Sequence, residues 1–322
     1  MASLSQNQLD QFETEGYVVA KALLDFDEDL LPVVDEYADV LDAMADDFFA
    51  AGEITSTYAD LPFGERLTRI YVEAGRQTAQ YLDISLPQKA IQAGTPFWAG
   101  SAVFWLLRNE KLLDAAESFI GPEIYSNPVQ HVRIKPPEQM VAEMVPNDLI
   151  KATRWHQDVG VVRPEADDTE MLTVWLPLTA SREEHGCIKL IPGSHRNHLL
   201  AHCPVSTGGY EIPTRLFAED ETIPIPMDAG DVLFMSRLTC HGSLANTSGQ
   251  IRWSFDLRYS PTGQPTGRSE FPGFVARSRS NPETELRDPD AWHDMWRDAR
   301  DRLAVVDDPT YNRWTESNPA CA

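Results

Sequence analysis

Residues 240–259 read CHGSLANTSGQIRWSFDLRY. The second half of this stretch alternates: Arg252, Ser254, Asp256 and Arg258 are polar, and Trp253, Phe255, Leu257 and Tyr259 are apolar. Successive side chains of a strand point to opposite faces, so this is a strand with one polar and one apolar face. Such a strand fits a barrel with a polar lumen and helices packed outside. Asn246-Thr247-Ser248-Gly249 is turn chemistry. His241 therefore stands at the end of one strand and Arg252 near the start of the next.

Working outward, short β-rich runs follow Gly121-Pro122, separated by Pro, Gly, Asn and Asp. They are Val129–Ile134, Leu172–Leu178, Cys187–Ile191, Thr222–Ile225, Val232–Met235 and Ile251–Tyr259. Short strands at this spacing predict a barrel or sandwich. Before them the chain is mainly helical. Leu9 and Phe12 predict a helix over 5–15 that Gly16 ends, and Tyr17, Val18 and Val19 then read as a strand. Helical spacing runs through 27–52, 66–82 and 86–118. Residues 260–281 read as a loop, 289–304 as a helix with Trp292, Met295, Trp296 and Ala299 on one stripe, and the tail after Pro309 as irregular. The expected organisation is one domain over 1–322. It has a mainly helical layer (1–120), a β core (121–260), and a loop with a C-terminal helix (261–322). Residues 137–153 and 260–281 are long enough to act as lids.

The composition is that of a globular chain: 322 residues, 42% hydrophobic and 24% charged. A net charge of −23 argues against nucleic acid and anionic lipid as partners, because both need a basic footprint. The longest apolar run, Phe97 to Leu107, is shorter than the roughly 18–20 residues of a membrane helix. No basic n-region precedes an apolar stretch at the N-terminus. A cytoplasmic protein is expected, with Cys187, Cys203, Cys240 and Cys321 as reduced thiols.

The chemistry concentrates in the β region. In RWHQDVG, residues 154–160, His156 and Asp158 are two apart, which on a strand puts both on one face. With His241 they make two imidazoles and one carboxylate, the facial triad of non-haem Fe(II) oxygenases, which leaves positions open for a co-substrate and O₂. A guanidinium at Arg252 on the same polar face could clamp a carboxylate through paired hydrogen bonds. H-x-D alone is a weak signal. The combination of H-x-D, a later His and an Arg after a short turn is a stronger one.

These residues resemble the phytanoyl-CoA dioxygenase family of Fe(II)/2-oxoglutarate oxygenases. The resemblance runs from about residue 4 to about residue 260. It includes LSQNQLDQFETEGYVVAKALL, VRIKPP, WHQD, VWLPLT, HGCIKLIPGSHR and AGDVLFMSRLTCHGSLANTSGQIRWSFDLRY. PGSH together with H-G-S-x-x-N-x-S-x-x-x-R is its most specific part. The resemblance implies a double-stranded β-helix, a jelly-roll barrel flanked by helices. It implies iron at His156, Asp158 and His241, and Arg252 on the far carboxylate of 2-oxoglutarate with Ser243 supporting it. Gln157 and Trp175 match residues near iron and co-substrate, and Gln130 is a candidate for a further co-substrate partner. The implied activity consumes O₂ and 2-oxoglutarate and releases succinate and CO₂ while oxidising a small-molecule substrate. Asp158 stands where a halogenase of this type has a small residue, which favours hydroxylation or a related oxidation.

Other features read more plainly. His195, His198 and His202 are expected to be a turn and surface imidazoles, and His131, His185 and His293 ordinary histidines. Phe97, Trp98, Phe104 and Trp105 read first as core packing, with a wall of the substrate pocket as the functional alternative. Arg268, Arg277 and Arg279 could grip an anionic substrate, but a solvated loop is the simpler expectation. The acidic run Asp25 to Asp47 reads as an exposed helix face. Two competing functions share the barrel: a Zn- or Mn-dependent isomerase or hydrolase, and a non-catalytic binding barrel. Arg252 argues against the first, since a simple metal barrel has no need of a carboxylate clamp there, and the intact triad argues against the second.

Overall fold

The computed structural model describes residues 4–144, 149–206, 209–306, 311, 313–315 and 318–321. In chain order the helices are α1 Gln6–Glu15, α2 Leu31–Ala50, α3 Phe63–Ala74, α4 Ser101–Leu107, α5 Glu110–Ile120 and α6 Pro289–Leu303. The strands are β1 Tyr17–Ala20, β2 Glu123–Ser126, β3 His131–Lys135, β4 Leu172–Pro177, β5 Ile188–Leu190 and β6 Cys203–Pro204. They continue with β7 Tyr210–Glu211, β8 Ile223–Ile225, β9 Val232–Ser236, β10 His241–Ser243, β11 Arg252–Pro261 and β12 Phe274–Ser278.

The fold is the double-stranded β-helix, a jelly roll with helices outside. All strand pairs are antiparallel. The large sheet runs β1-β9-β4-β11-β2-β12, with β3 also on β11, and a smaller sheet runs β10-β5-β8. β11 is the spine. One edge pairs with β4, so Asp256 faces Trp175 and Arg258 faces Thr173. The other edge pairs with β3, so Arg252 faces Lys135, Ser254 faces Arg133 and Asp256 faces His131. Partners directly opposite share a face, and the three strands thus place their polar side chains together in one lumen.

The apolar face of β11 packs on the helical layer, as its alternation predicts. Trp253 stacks on Phe63 at 4.8 Å and meets the Tyr37 ring edge-on at 5.2 Å. Tyr259 donates its hydroxyl to the Leu107 carbonyl at 2.7 Å. Burying each such side chain contributes roughly 1.5–3 kcal/mol. On α2, Asp35, Asp39, Asp42, Asp46 and Asp47 stay exposed, so the acidic run is a solvated face.

The N-terminal helix is placed by its caps. Ser5 and Gln8 form a reciprocal capping box, and Gly16 ends α1 in the left-handed region at φ 77°. A Cβ on Gly16 would lie 2.4 Å from the His195 ring. His195 and Arg196 of the PGSHR turn hold the Glu13 and Thr14 carbonyls. That turn is a clasp for α1, as expected of His195.

Several expectations are corrected. Residues 86–100 form no helix, because Pro87, Gly94, Pro96 and Gly100 interrupt the spacing; α4 begins only at Ser101. The segment 260–281 is not all loop, since β12 pairs with β2 inside it. Cys203 and Cys321 are a disulfide across 118 residues, with Cα atoms 5.3 Å apart, whereas Cys187 and Cys240 are buried thiols. A lasting disulfide is uncommon in a reducing cytosol, which weighs against the cytoplasmic expectation. Among the described residues, no helix is long and apolar enough to cross a membrane. Residues 145–148 of the first possible lid lie outside the described residues.

Candidate metal centre

His156, Asp158 and His241 converge. One ligand atom from each lies within 4.8 Å of the others, and all three residues are buried. Nε2 of His156 is 3.7 Å from Asp158 Oδ1, and Nε2 of His241 is 4.0 Å from Oδ2. The route differs from a plain strand. His156 forms an isolated antiparallel bridge with His241, and Asp158 opens a one-turn 3₁₀ segment, Asp158–Val161. The same-face argument therefore reaches the right convergence by the wrong local conformation.

The backbone orients both imidazoles. Nδ1 of His156 donates to the Arg154 carbonyl at 2.8 Å, and Nδ1 of His241 donates to the Thr239 carbonyl at 3.0 Å. With Nδ1 protonated and bonded, Nε2 keeps its lone pair toward the carboxylate, the arrangement a metal ligand needs. Burial, reinforced by His241 alongside, pushes the His156 pKa down to about 3, so its ring is neutral at ordinary pH. Burial would raise the Asp158 carboxyl, but Arg258, the two histidines and Thr173 outweigh it and hold the group well below the usual range.

Two neighbours of Asp158 went unnoticed in the sequence. Arg258 bonds Oδ1 and Thr173 bonds Oδ2. Arg258 lies on the polar face of β11, and Thr173 sits opposite it on β4. The alternation of β11 was the available signal for Arg258; nothing local marked Thr173.

Arg252 is fully buried and lines a narrow cavity with His156, His241, Trp175, Arg133 and Asp256. Its guanidinium lies 5.4 Å from the Trp175 ring centroid. Nη1 donates to the Gly186 carbonyl at 3.0 Å. Nε and Nη2 have no partner. Those two atoms form one edge of the guanidinium, the fork that takes a carboxylate side-on. Burial, with Arg133 nearby, pushes the Arg252 pKa down to about 9, so it stays charged at neutral pH.

The remaining expected residues fall in different places. Ser243 shares β10 with His241, but its hydroxyl accepts from the Thr153 amide at 2.8 Å and from Lys135 Nζ at 3.2 Å. It braces the wall and does not line either cavity. Gln157 points away from the triad. Its amide nitrogen donates to the Leu238 carbonyl at 2.8 Å, and its oxygen accepts from Leu200 N at 2.8 Å. Gln130 is buried with its Oε1 unpartnered, outside both cavities. Phe97, Trp98, Phe104 and Trp105 are absent from both cavity walls. Phe104 packs on Trp292 of α6 and Phe274, Trp98 bonds Glu36, and Trp105 is half exposed. The pocket-wall alternative for these aromatics is corrected: they join helix to helix.

His202 is buried rather than superficial. Its Nε2 accepts from the Gln157 amide at 3.0 Å, directly between two triad residues, and its ring stacks on Trp314 at 5.0 Å. Arg277 is also buried, ringed by Glu110, Asp114 and Glu117. Arg268 is fully buried, so the solvated-loop expectation fails for it as well.

A second, wider cavity of about 340 Å³ opens beside the first, and the two share His156, Arg133 and Thr153. This volume is at the lower end of small-molecule sites.

Comparison with known proteins points the same way. The family described as phytanoyl-CoA dioxygenase (PhyH) has a model that matches residues 12–254. A 1-deoxypentalenic acid 11-beta-hydroxylase of Streptomyces arenae is 31% identical over 126 residues, 36% of this chain and 43% of that protein. The chain thus spans less than half the length of that relative. A phytanoyl-CoA dioxygenase of Arabidopsis thaliana is 25% identical over 270 residues, covering 79% of this chain and 88% of that one. A solved structure of a non-heme monooxygenase, ThoJ in its apo form, aligns with a TM-score of 0.54 at 19% identity over 92% of this chain and 98% of that chain. At that identity the likeness is one of fold.

Proposed function

The chain belongs to the phytanoyl-CoA dioxygenase family, and from that premise we propose that it is an Fe(II)- and 2-oxoglutarate-dependent dioxygenase. It hydroxylates an unactivated C–H bond of a small organic molecule and releases succinate and CO₂. The observation that carries this reading is Arg252. A buried guanidinium with two unpaired nitrogens on one edge, in one narrow cavity with His156 and His241, is suited to a carboxylate. A simple hydrolytic metal barrel has no use for it.

Iron, 2-oxoglutarate and O₂ together supply an oxidant able to take hydrogen from carbon. The chain does the rest. His156, Asp158 and His241 would hold the metal through two imidazoles and one carboxylate. Arg252 holds the far carboxylate of the co-substrate, with the Trp175 face against the guanidinium. Arg258 and Thr173 fix the direction of the Asp158 carboxylate. The branch around Arg252 is narrow, lined also by Ile188 and Trp175. The name of the Streptomyces relative supports hydroxylation as the outcome.

The test is an anaerobic titration of metal-free protein with Fe(II) and 2-oxoglutarate, followed by visible absorbance. A weak charge-transfer band is expected. It should vanish in His241→Ala and require more 2-oxoglutarate in Arg252→Ala. No band, with tight binding of Zn or Mn instead, would move the chain to the metal-dependent isomerases or hydrolases.

A further inference from the structure

We propose that the wide cavity beside the metal centre takes an organic acid, and that Arg268 binds the substrate's carboxylate. This substrate class rests on the reading of the centre as an oxygenase site. Arg268 belongs to the loop between β11 and β12 and lines the cavity wall. Its side chain is wholly buried. Nη2 donates to the Val161 carbonyl at 2.8 Å, while Nε and Nη1 have no partner. The nearest carboxylate in the loop is unavailable to it, because Arg163 grips Glu270 through two bonds of 2.6 and 3.0 Å.

Arg277 shows what a buried arginine looks like when its role is structural. It sits twelve positions before the first residue of α6, with three carboxylates around its guanidinium. A buried charge without a partner costs several kcal/mol. An anion in the cavity would supply Arg268 with such a partner. Its guanidinium stays charged at neutral pH, since burial and the neighbouring Arg258 push its pKa down only to about 10.

The loop holds Arg268 in place before any ligand arrives. Gly267 has φ +69°, and a Cβ there would lie 2.6 Å from Val162 Cβ and 2.9 Å from Ala166 Cβ. Arg163 N donates to the Gly267 carbonyl at 3.1 Å. The Phe271 and Tyr311 rings each lie 5.6 Å from the guanidinium carbon. Elsewhere the wall carries Leu86, Val129 and Val161 together with Arg133, Arg154 and Arg258, of which Arg133 is paired with Asp256 and Arg258 with Asp158. Its carboxylate, Asp83, is occupied by the His131 ring and the Val132 amide, each at 2.8 Å. A carboxylate on Arg268 therefore leaves an apolar body along the wall, reaching toward the side that His156 shares with the metal centre.

The experiment uses matched probes: cyclohexanecarboxylate against its amide, and octanoate against its amide. Binding to the Fe(II)- and 2-oxoglutarate-loaded protein is followed anaerobically by thermal shift. The acids are expected to raise the melting temperature and the amides not. Arg268→Gln should weaken acid binding at least tenfold and keep the Fe(II)/2-oxoglutarate absorbance band, and Arg268→Lys should retain the preference for acids. Ligand-free Arg268→Met should melt no lower than the parent. Acids and amides binding alike, no acid binding, or acid binding unchanged in Arg268→Gln would each overturn the proposal. So would an Arg268→Met protein that melts well below the parent or fails to fold, since Arg268 would then be structural. An absorbance band missing from the parent protein sinks the oxygenase reading instead. The preference for acids over amides, measured on the protein alone, still decides Arg268 in that event.

Discussion

Replacing Arg252 by Gln separates a co-substrate clamp from a structural cation. In the ligand-free chain, Arg252 makes one hydrogen bond, from Nη1 to the Gly186 carbonyl, and leaves Nε and Nη2 unpaired. Each charge-assisted bond to a carboxylate is worth about 1.5–3 kcal/mol, so the fork contributes roughly 3–6 kcal/mol to holding 2-oxoglutarate. A glutamine recovers about 1 kcal/mol through one neutral bond. The net loss of about 2–5 kcal/mol corresponds to a roughly 30-fold to several-thousand-fold weaker affinity. Stability should move the other way. Removing a buried cation that has no carboxylate partner is neutral or stabilising. Anaerobic calorimetry with 2-oxoglutarate on the Fe(II)-loaded protein reads the first quantity, and urea denaturation of the ligand-free protein reads the second. At saturating 2-oxoglutarate, kcat should stay within a few-fold of the parent while KM for 2-oxoglutarate rises. An affinity change below threefold, combined with a stability loss above about 2 kcal/mol, would refute the reasoning.

Three further outcomes are expected. Thr173→Val removes one of the two groups that hold Asp158, and Fe(II) titration should show about 10–100-fold weaker metal binding with little change in melting temperature. His202 has a pKa lowered by burial from 6.5 to about 4, so the unfolded chain binds the proton more readily. The stability His202 protects is complete above pH 6.5 and is lost as the pH falls toward 4, by about 3 kcal/mol in all. Urea midpoints measured across that range should fall less in His202→Gln than in the parent. Reducing the Cys203–Cys321 bond, or Cys321→Ser, should cost about 2–4 kcal/mol, because the bond closes a long loop of the unfolded chain. Equal urea midpoints with and without reductant would show that the bond does not form in solution.

What sequence reasoning caught and missed follows the range of the interactions. The alternation in β11 and the two-residue spacing of His156 and Asp158 are local and legible, whereas His241, 85 residues after His156, is marked only by the motif around it. The helical spacing over 86–118 gives a helix only in its second half, because four breakers, Pro87, Gly94, Pro96 and Gly100, interrupt the first. Gln157 and Ser243 stand beside the triad in sequence. Their side chains nevertheless serve the backbone of other segments, Leu200 and Leu238 for Gln157 and Thr153 for Ser243.

The amino-acid order by itself determined the polar and apolar faces of the strands and singled out the three metal-ligand candidates and Arg252 as the candidate clamp. These depend on period two and on motif spacing, which a chain carries before it folds. The tertiary structure alone decided what each buried charge meets. Arg258 reaches Asp158 across 100 residues, and Cys203 reaches Cys321 across 118. Arg277 finds three acids while Arg268, nine residues earlier, finds none. Strand register and loop placement set those pairings, and no local pattern of residue types encodes them.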